Sequence, residues 1–203
     1  MVYIVMFIKF FYSVFAVVLA MLLLSSCVAG VSGAVAVSAY SVAKDKSSLQ
    51  SYKDMKIFLT AKDKLFSSDY RSLAYSVDIK VHNNAIYMVG RVRDDNARMY
   101  MIEELSKIEG VKKIYDEIIV DSKTSGFRSF FIGVKDFFIT AKTKIRLAFA
   151  PNIRSVNYSV ETFDGVVYII GNATNIMEAE KLSLVASKGL GVKKVVNYSS
   201  ISK

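Results

Sequence analysis

The 203-residue sequence holds one cysteine, one histidine, one proline and no tryptophan. A lone cysteine excludes a disulfide framework, and with one histidine and no Cys-x-x-Cys pair the soft ligands of a zinc site are missing. Ten glycines and a hydrophobic fraction of 53% exclude collagen-like and disordered chains. The length suits one mid-sized core or two small ones. No GxxxxGK, HExxH or GxGxxG motif occurs, so nucleotide and zinc-protease chemistry have no foothold. His82 precedes Asn83-Asn84 at a hairpin tip. It lacks the partners that a Ser-His or Cys-His arrangement needs and reads as an exposed turn residue. Adjacent carboxylates at Asp94-Asp95 and Glu103-Glu104 point in different directions and read as solvated surface. The expectation is a non-enzymatic chain with no metal site and no cofactor.

The net charge of +9 is unevenly spread. Residues 53–121 balance twelve bases with twelve acids, whereas residues 122–203 carry twelve bases and five acids, net +7. From Lys123 to Arg154 seven bases face only Asp136. An acidic partner should therefore meet the second half.

From Phe10 to Leu24 the chain carries no charge; Lys9 precedes this run and small residues follow it. This is the layout of a secretory signal peptide, too short to read first as a transmembrane helix. Leu24-Ser25-Ser26-Cys27 resembles the lipobox of bacterial lipoproteins. The resemblance implies that residues 1–26 are removed and that Cys27, the mature N-terminus, carries a diacylglycerol thioether and an acylated amine. Translation from Met6 rather than Met1 would give a more ordinary start. The alternative is an uncleaved anchor, since no charge appears between Lys9 and Lys44. Residues 27–52, first rich in Ala, Gly, Ser and Val and then charged, read as a tether.

An ungapped shift of 81 residues reveals an internal repeat. Tyr87-Met88-Val89-Gly90 falls on Tyr168-Ile169-Ile170-Gly171, and Gly110-Val111-Lys112-Lys113-Ile114 on Gly191-Val192-Lys193-Lys194-Val195. Thr60-Ala61-Lys62 matches Thr140-Ala141-Lys142 at a shift of 80, which implies one residue gained before the first strand of the second copy. Each copy reads as helix, strand, strand, helix, strand. Asp54 and Asp136 are candidate N-caps, followed by Ile57, Phe58, Ala61 and Leu65 and by Phe137, Phe138, Ala141 and Ile145. Strands alternate through Val77, Ile79, Val81 and through Tyr158, Val160, Thr162. Asn83-Asn84 and Asp164-Gly165 suit tight hairpin turns, with the second strands ending at Gly90 and Gly171. Ala97, Met101, Ile102, Leu105 and Ile108 mark the next helix, as do Leu182, Val185, Ala186 and Leu190. Gly110 and Gly191 suit helix C-caps. The last strand of the second copy, ending Tyr198-Ser199-Ser200-Ile201, is expected to be short or frayed.

This order and these glycine landmarks resemble the BON domain. The expected fold class is α+β: two tandem αββαβ modules, each a small three-stranded mixed sheet with two helices on one face. Module boundaries fall at 53–121 and 135–203. Between them, residues 122–134 form a linker whose Phe127, Phe130, Phe131 and Ile132 are expected to pack on a module. With the lipobox in front, the chain resembles dual-BON outer-membrane lipoproteins of Gram-negative bacteria, which implies a lipid-anchored protein facing the periplasm.

At 100° per residue, Lys135, Lys142 and Arg146 gather within about 40° on one helix, bordered by Phe138 and Phe149. Phe137, Ala141, Ile145 and Ala148 are expected to face the core. A solvated face is the plain reading of such a stripe. The family resemblance adds binding to phospholipid membranes, with Lys135, Phe138, Lys142 and Arg146 as the site, anionic lipid as the partner and outer-membrane integrity as the role. The alternative is a periplasmic scaffold whose same surface docks an acidic envelope protein. Nucleic acid is excluded as a partner by export.

Overall fold

The computed structural model describes residues 48–66, 77–122 and 126–201. Cys27, both candidate start methionines and the signal segment lie outside the described residues. The elements of the first repeat are α1 (Ser48–Phe66), β1 (Val77–His82), β2 (Ala85–Val92), α2 (Asp95–Ser106) and β3 (Lys113–Val120). Those of the second are α3 (Gly126–Ala148), β4 (Tyr158–Phe163), β5 (Val166–Ala173), α4 (Ile176–Ser187) and β6 (Lys194–Ile201). In each, an antiparallel hairpin places its second strand at the sheet centre, and the third strand adds parallel to it after a helical crossover. The chain therefore forms two α+β modules with mixed three-stranded sheets, and α1 starts inside the segment read as a tether while α3 takes in residues 126–134 of the expected linker.

The hairpins are as their residues require. Asn83 and Asn84, with φ of 51° and 65°, and Asp164 and Gly165, at 48° and 77°, all adopt the left-handed region of a two-residue turn. Strand register repeats at 81 throughout: Val77 faces Gly90 as Tyr158 faces Gly171. The second strands do not end at these glycines but run on to Val92 and Ala173. Gly171 is required for another reason. A Cβ there would stand 2.2 Å from the Asn157 carbonyl oxygen, so only glycine admits the entry of β4. β6 is as long as β3, with Tyr198 donating to Glu117 of the first module's sheet and Ser200 to Asn172 on the adjacent strand β5.

Asp54 and Asp136 are not N-caps. Each lies within its helix, buried, and its carboxylate reaches across to the hairpin turn. Asp54 accepts from the Asn83 and Asn84 amides at 2.8 and 2.9 Å, and Asp136 from the Asp164 and Gly165 amides at 2.6 and 2.9 Å. An ionised carboxylate satisfying two amides that the tight turn leaves unpaired is a strong, directional clamp between helix and hairpin. It sets the register of the two helices at a shift of 82, with Ile57, Ala61 and Leu65 equivalent to Ile139, Thr143 and Leu147, all buried. The Thr-Ala-Lys match at 80 is therefore coincidental, and the connection before β4 is one residue shorter than its counterpart, not longer.

The helices cover one sheet face in each module, burying Ile79, Ile86 and Met88 under α1 and α2, and Val160, Val167 and Ile169 under α3 and α4. The opposite faces pack on each other. Ala85, Tyr87 and Ile170 are buried between the sheets, joined by Tyr115 and Tyr198. Tyr87 stacks on Tyr115 with centroids 4.6 Å apart, and Tyr198 tilts against both rings. Such pairs contribute about 0.5–1.5 kcal/mol each beyond area burial. The order of layers is helices, sheet, sheet, helices.

Candidate functional site

The buried row of α3 is Asp136, Ile139, Thr143 and Leu147, spaced by three and four residues. Everything opposite this row faces outward. Phe137 (68% exposed) and Ile145 (58%) thus lie on the surface, and so does Ala148. The expectation that Phe137, Ala141, Ile145 and Ala148 pack inward fails because it followed the shift of 80, two positions from the true register; Ala141 is only half-buried. Phe131, Val134, Phe138 and Phe149 are also exposed. Of the linker residues expected to pack on a module, Phe131 is 55% exposed and Ile132 is half-buried; the side chains of Phe127 and Phe130 lie outside the described residues.

Lys135 and Lys142 stand exposed beside this apolar row, and Arg146 is half-buried next to Gly189, with its guanidinium 3.1 Å from where a Cβ on that glycine would lie. Lys144 is exposed as well. Asp136, the one acid of α3, is buried and engaged with the turn. The outward face of this helix therefore combines six exposed large apolar side chains with bases and no carboxylate. A soluble helix surface normally carries polar residues here, and a contiguous apolar face rimmed by bases marks an interaction surface.

The neighbouring helix also exposes apolar side chains. Met177 and Leu184 on α4 are exposed, and so is Leu190, which helical spacing grouped with Leu182, Val185 and Ala186 but which lies beyond the helix end. Lys181 donates to the Pro151 carbonyl oxygen at 2.6 Å, tying α4 to the chain just past α3. Val185 is partly buried, and Leu182 and Ala186 are the buried positions. At the start of α4 a carboxylate is again used for structure: buried Glu178 accepts from the Arg154 and Thr174 amides and the Thr174 hydroxyl. Burial alone would raise its pKa; these donors outweigh it and hold the carboxyl below its ordinary value.

The corresponding helix α1 is instructive. At a shift of 82 its exposed Leu49, Tyr52, Met55 and Leu59 match Phe131, Val134, Phe137 and Ala141, so part of the apolar row belongs to both modules. Further along, Lys56, Thr60 and Asp63 stand where α3 has Phe138, Lys142 and Ile145. The apolar row of the first module is thus interrupted by charge of both signs.

The other sequence candidates are structural. His82 is half-buried rather than an exposed tip, because its Nε2 meets the Asn172 Oδ1 at 2.9 Å between the modules. Asp94 caps α2 by accepting from the Ala97 amide, Asp95 pairs with Arg98, and Glu103 and Glu104 pair with Lys107. Among the described residues no three His, Asp or Glu side chains converge as metal ligands, and no helix is long and apolar enough to cross a membrane.

A family model matches both modules. The BON domain model matches residues 63–122 and 135–201. Outer membrane lipoprotein DolP of Haemophilus influenzae is 27% identical over 178 residues, 87% of this chain and 89% of that one. An uncharacterised protein of the gshII 5′ region of Anaplasma centrale is 29% identical over 123 residues, 61% of this chain and 80% of that protein. Among solved structures, CdsD of the Chlamydia trachomatis type III secretion system aligns at 12% identity over 72% of this chain and 92% of that one, with a TM-score of 0.31. With both repeats matched over more than half its length, the chain belongs to the BON-domain family.

Proposed function

We propose that this is a non-enzymatic envelope protein, anchored through Cys27 in the outer membrane and facing the periplasm, whose second BON module binds anionic phospholipid and supports outer-membrane integrity. The observation that carries this reading is the outward face of α3, where Phe131, Val134, Phe137, Phe138, Ile145 and Phe149 are exposed beside Lys135, Lys142 and Arg146. An interfacial helix needs this combination of an apolar face for the acyl boundary and bases whose stems can snorkel to headgroups. Each base near an anionic surface contributes about 1 kcal/mol, and each fully buried Phe or Ile side chain about 1.5–3 kcal/mol. Apolar burial therefore supplies most of the affinity and the bases supply the preference for anionic lipid. The similarity to an outer membrane lipoprotein over most of both chains, together with Leu24-Ser25-Ser26-Cys27, supports the location. A lipid anchor also raises the effective concentration of α3 at the bilayer.

Liposome flotation of the chain from Val28 onward tests it. Lys135→Glu/Lys142→Glu, two exposed positions, should remove the preference for anionic vesicles, and Phe138→Asp should reduce binding to all vesicles. Wild-type flotation independent of lipid charge and of Phe138 would refute the reading and favour a docked acidic protein.

A further inference from the structure

Contacts between the two sheets repeat under the same 81-residue shift that relates their strands. Arg91 lies over the Phe163 ring, 5.4 Å from its centroid, and the equivalent positions in reverse, Asn172 and His82, share a hydrogen bond of 2.9 Å. Arg91 stands 3.9 Å from Asp164, and in reverse Asn83 donates to Asn172 at 2.9 Å. The Tyr87–Tyr198 ring contact has its counterpart in the Tyr168 hydroxyl donating to Glu117 at 3.4 Å. Reciprocity of this kind is the signature of a two-fold axis between the modules, as in an isologous dimer. Two contacts join a position to its own equivalent and so lie on that axis: Lys80 with Glu161 at 3.1 Å, and Glu117 with Tyr198.

We infer that these axial contacts make the sheet face a pairing surface selective for unlike modules, so that a first module accepts a second module and neither accepts its own kind. The shared centre of Ala85, Tyr87 and Ile170 is apolar and cannot by itself distinguish the combinations. The axis can. Two first modules would set Lys80 against Lys80 and Glu117 against Glu117, and two second modules would set Glu161 against Glu161. Off the axis, Arg91 keeps Asp121 of its own module at 3.9 Å whatever the partner, and only the unlike pair adds a second carboxylate, Asp164. The Lys80 and Glu161 side chains are 33% and 26% exposed, so solvent screens them poorly, and like charges at such close approach exclude the wrong partner. Asp78 also reaches Lys80 at 3.1 Å, but it belongs to the same strand and is indifferent to the partner. Copies of the chain gathered on one surface would thus not cross-link through like modules.

The test uses the full-length chain in detergent, with a protease site inserted after Ser122 and cut after folding. Native mass spectrometry then reads which halves remain associated. Wild-type halves should persist as unlike 1:1 pairs. Glu161→Lys, which places two lysines on the axis, should raise the dissociation constant of the halves about tenfold or more. Tyr198→Glu should weaken pairing likewise, whereas Glu117→Tyr/Tyr198→Glu, which restores one tyrosine and one carboxylate on the axis, should recover it; circular dichroism of the uncut chains checks folding. Unchanged pairing in the folded Glu161→Lys chain, failure of the double exchange to recover, or reassortment of wild-type halves into like pairs would each overturn the inference.

Discussion

The two modules share a skeleton and differ in surface. Both clamp the first helix to the hairpin turn through a buried aspartate, both place a left-handed glycine, 110 or 191, beside the buried isoleucine of that helix, and both bury an Ile and a Leu of that helix against the sheet. Positions that touch neither the sheet nor the turn have diverged: Lys56, Thr60 and Asp63 in α1 against Phe138, Lys142 and Ile145 in α3. The fold constrains what it buries and leaves the outward face of the first helix free to specialise.

The clamp gives the largest expected effect. Asp136→Ala leaves two turn amides without their carboxylate and should cost about 2–4 kcal/mol in chemical denaturation, since hydrogen bonds to a charged group contribute about 1.5–3 kcal/mol each and are not additive. Asp54→Ala should cost a similar amount. A loss near 1 kcal/mol for either would match an ordinary helix cap and break the equivalence of the two helices.

Alkaline pH tests the face between the modules. Burial, reinforced by Tyr115 and Asp54, pushes Tyr87 up to about 12; burial and Glu117 push Tyr168 up to about 12 and raise Tyr198 as well. Burial would lower the Lys80 pKa, but Asp78 and Glu161 outweigh it and raise it above the ordinary lysine value. All four groups hold their protons more tightly folded than unfolded. Their contributions are therefore complete below the unfolded values near pH 10; those of Tyr87 and Tyr168 are lost as pH rises through about 12, and those of Tyr198 and Lys80 as pH rises through their own raised values. With no tryptophan among the 203 residues, phenolate absorbance reads this directly. Three tyrosines should ionise late and together with loss of tyrosine near-ultraviolet dichroism; ionisation of all of them near pH 10 with the dichroism intact would contradict the packed face.

Gly133→Ala gives the smallest effect. No atom lies within 4 Å of a Cβ there, and the substitution should stabilise α3 by about 0.5–1 kcal/mol with no change in vesicle binding. Gly171→Ala, by contrast, meets backbone at 2.2 Å and should destabilise the second module in the same thermal melt.

Strand order, hairpin turns and the two-module plan were legible because alternation and a conserved spacing of 81 residues mark them directly. Helix register was not: a three-residue identity, Thr-Ala-Lys, outweighed the buried row Asp136, Ile139, Thr143 and Leu147, in which two of four residues are polar. That error of two positions turned Phe137 and Ile145 inward and hid most of the apolar face. The pairing face was hidden for a related reason. Lys80, His82, Glu117 and Glu161 alternate with core residues and look solvent-facing, and only the opposing sheet covers each of them. The bases at 135, 142 and 146 were visible from spacing alone, whereas the half-burial of Arg146 depends on the approach of Gly189.

The surface difference between the modules is tested most directly by transplanting it. Phe138→Lys/Lys142→Thr/Ile145→Asp gives α3 the residues that α1 carries at equivalent, outward positions, so the fold should be unaffected. In flotation with anionic vesicles, the account predicts that this variant of the chain from Val28 onward stays with the unbound fraction while wild type floats. Flotation of the folded variant equal to wild type would contradict it.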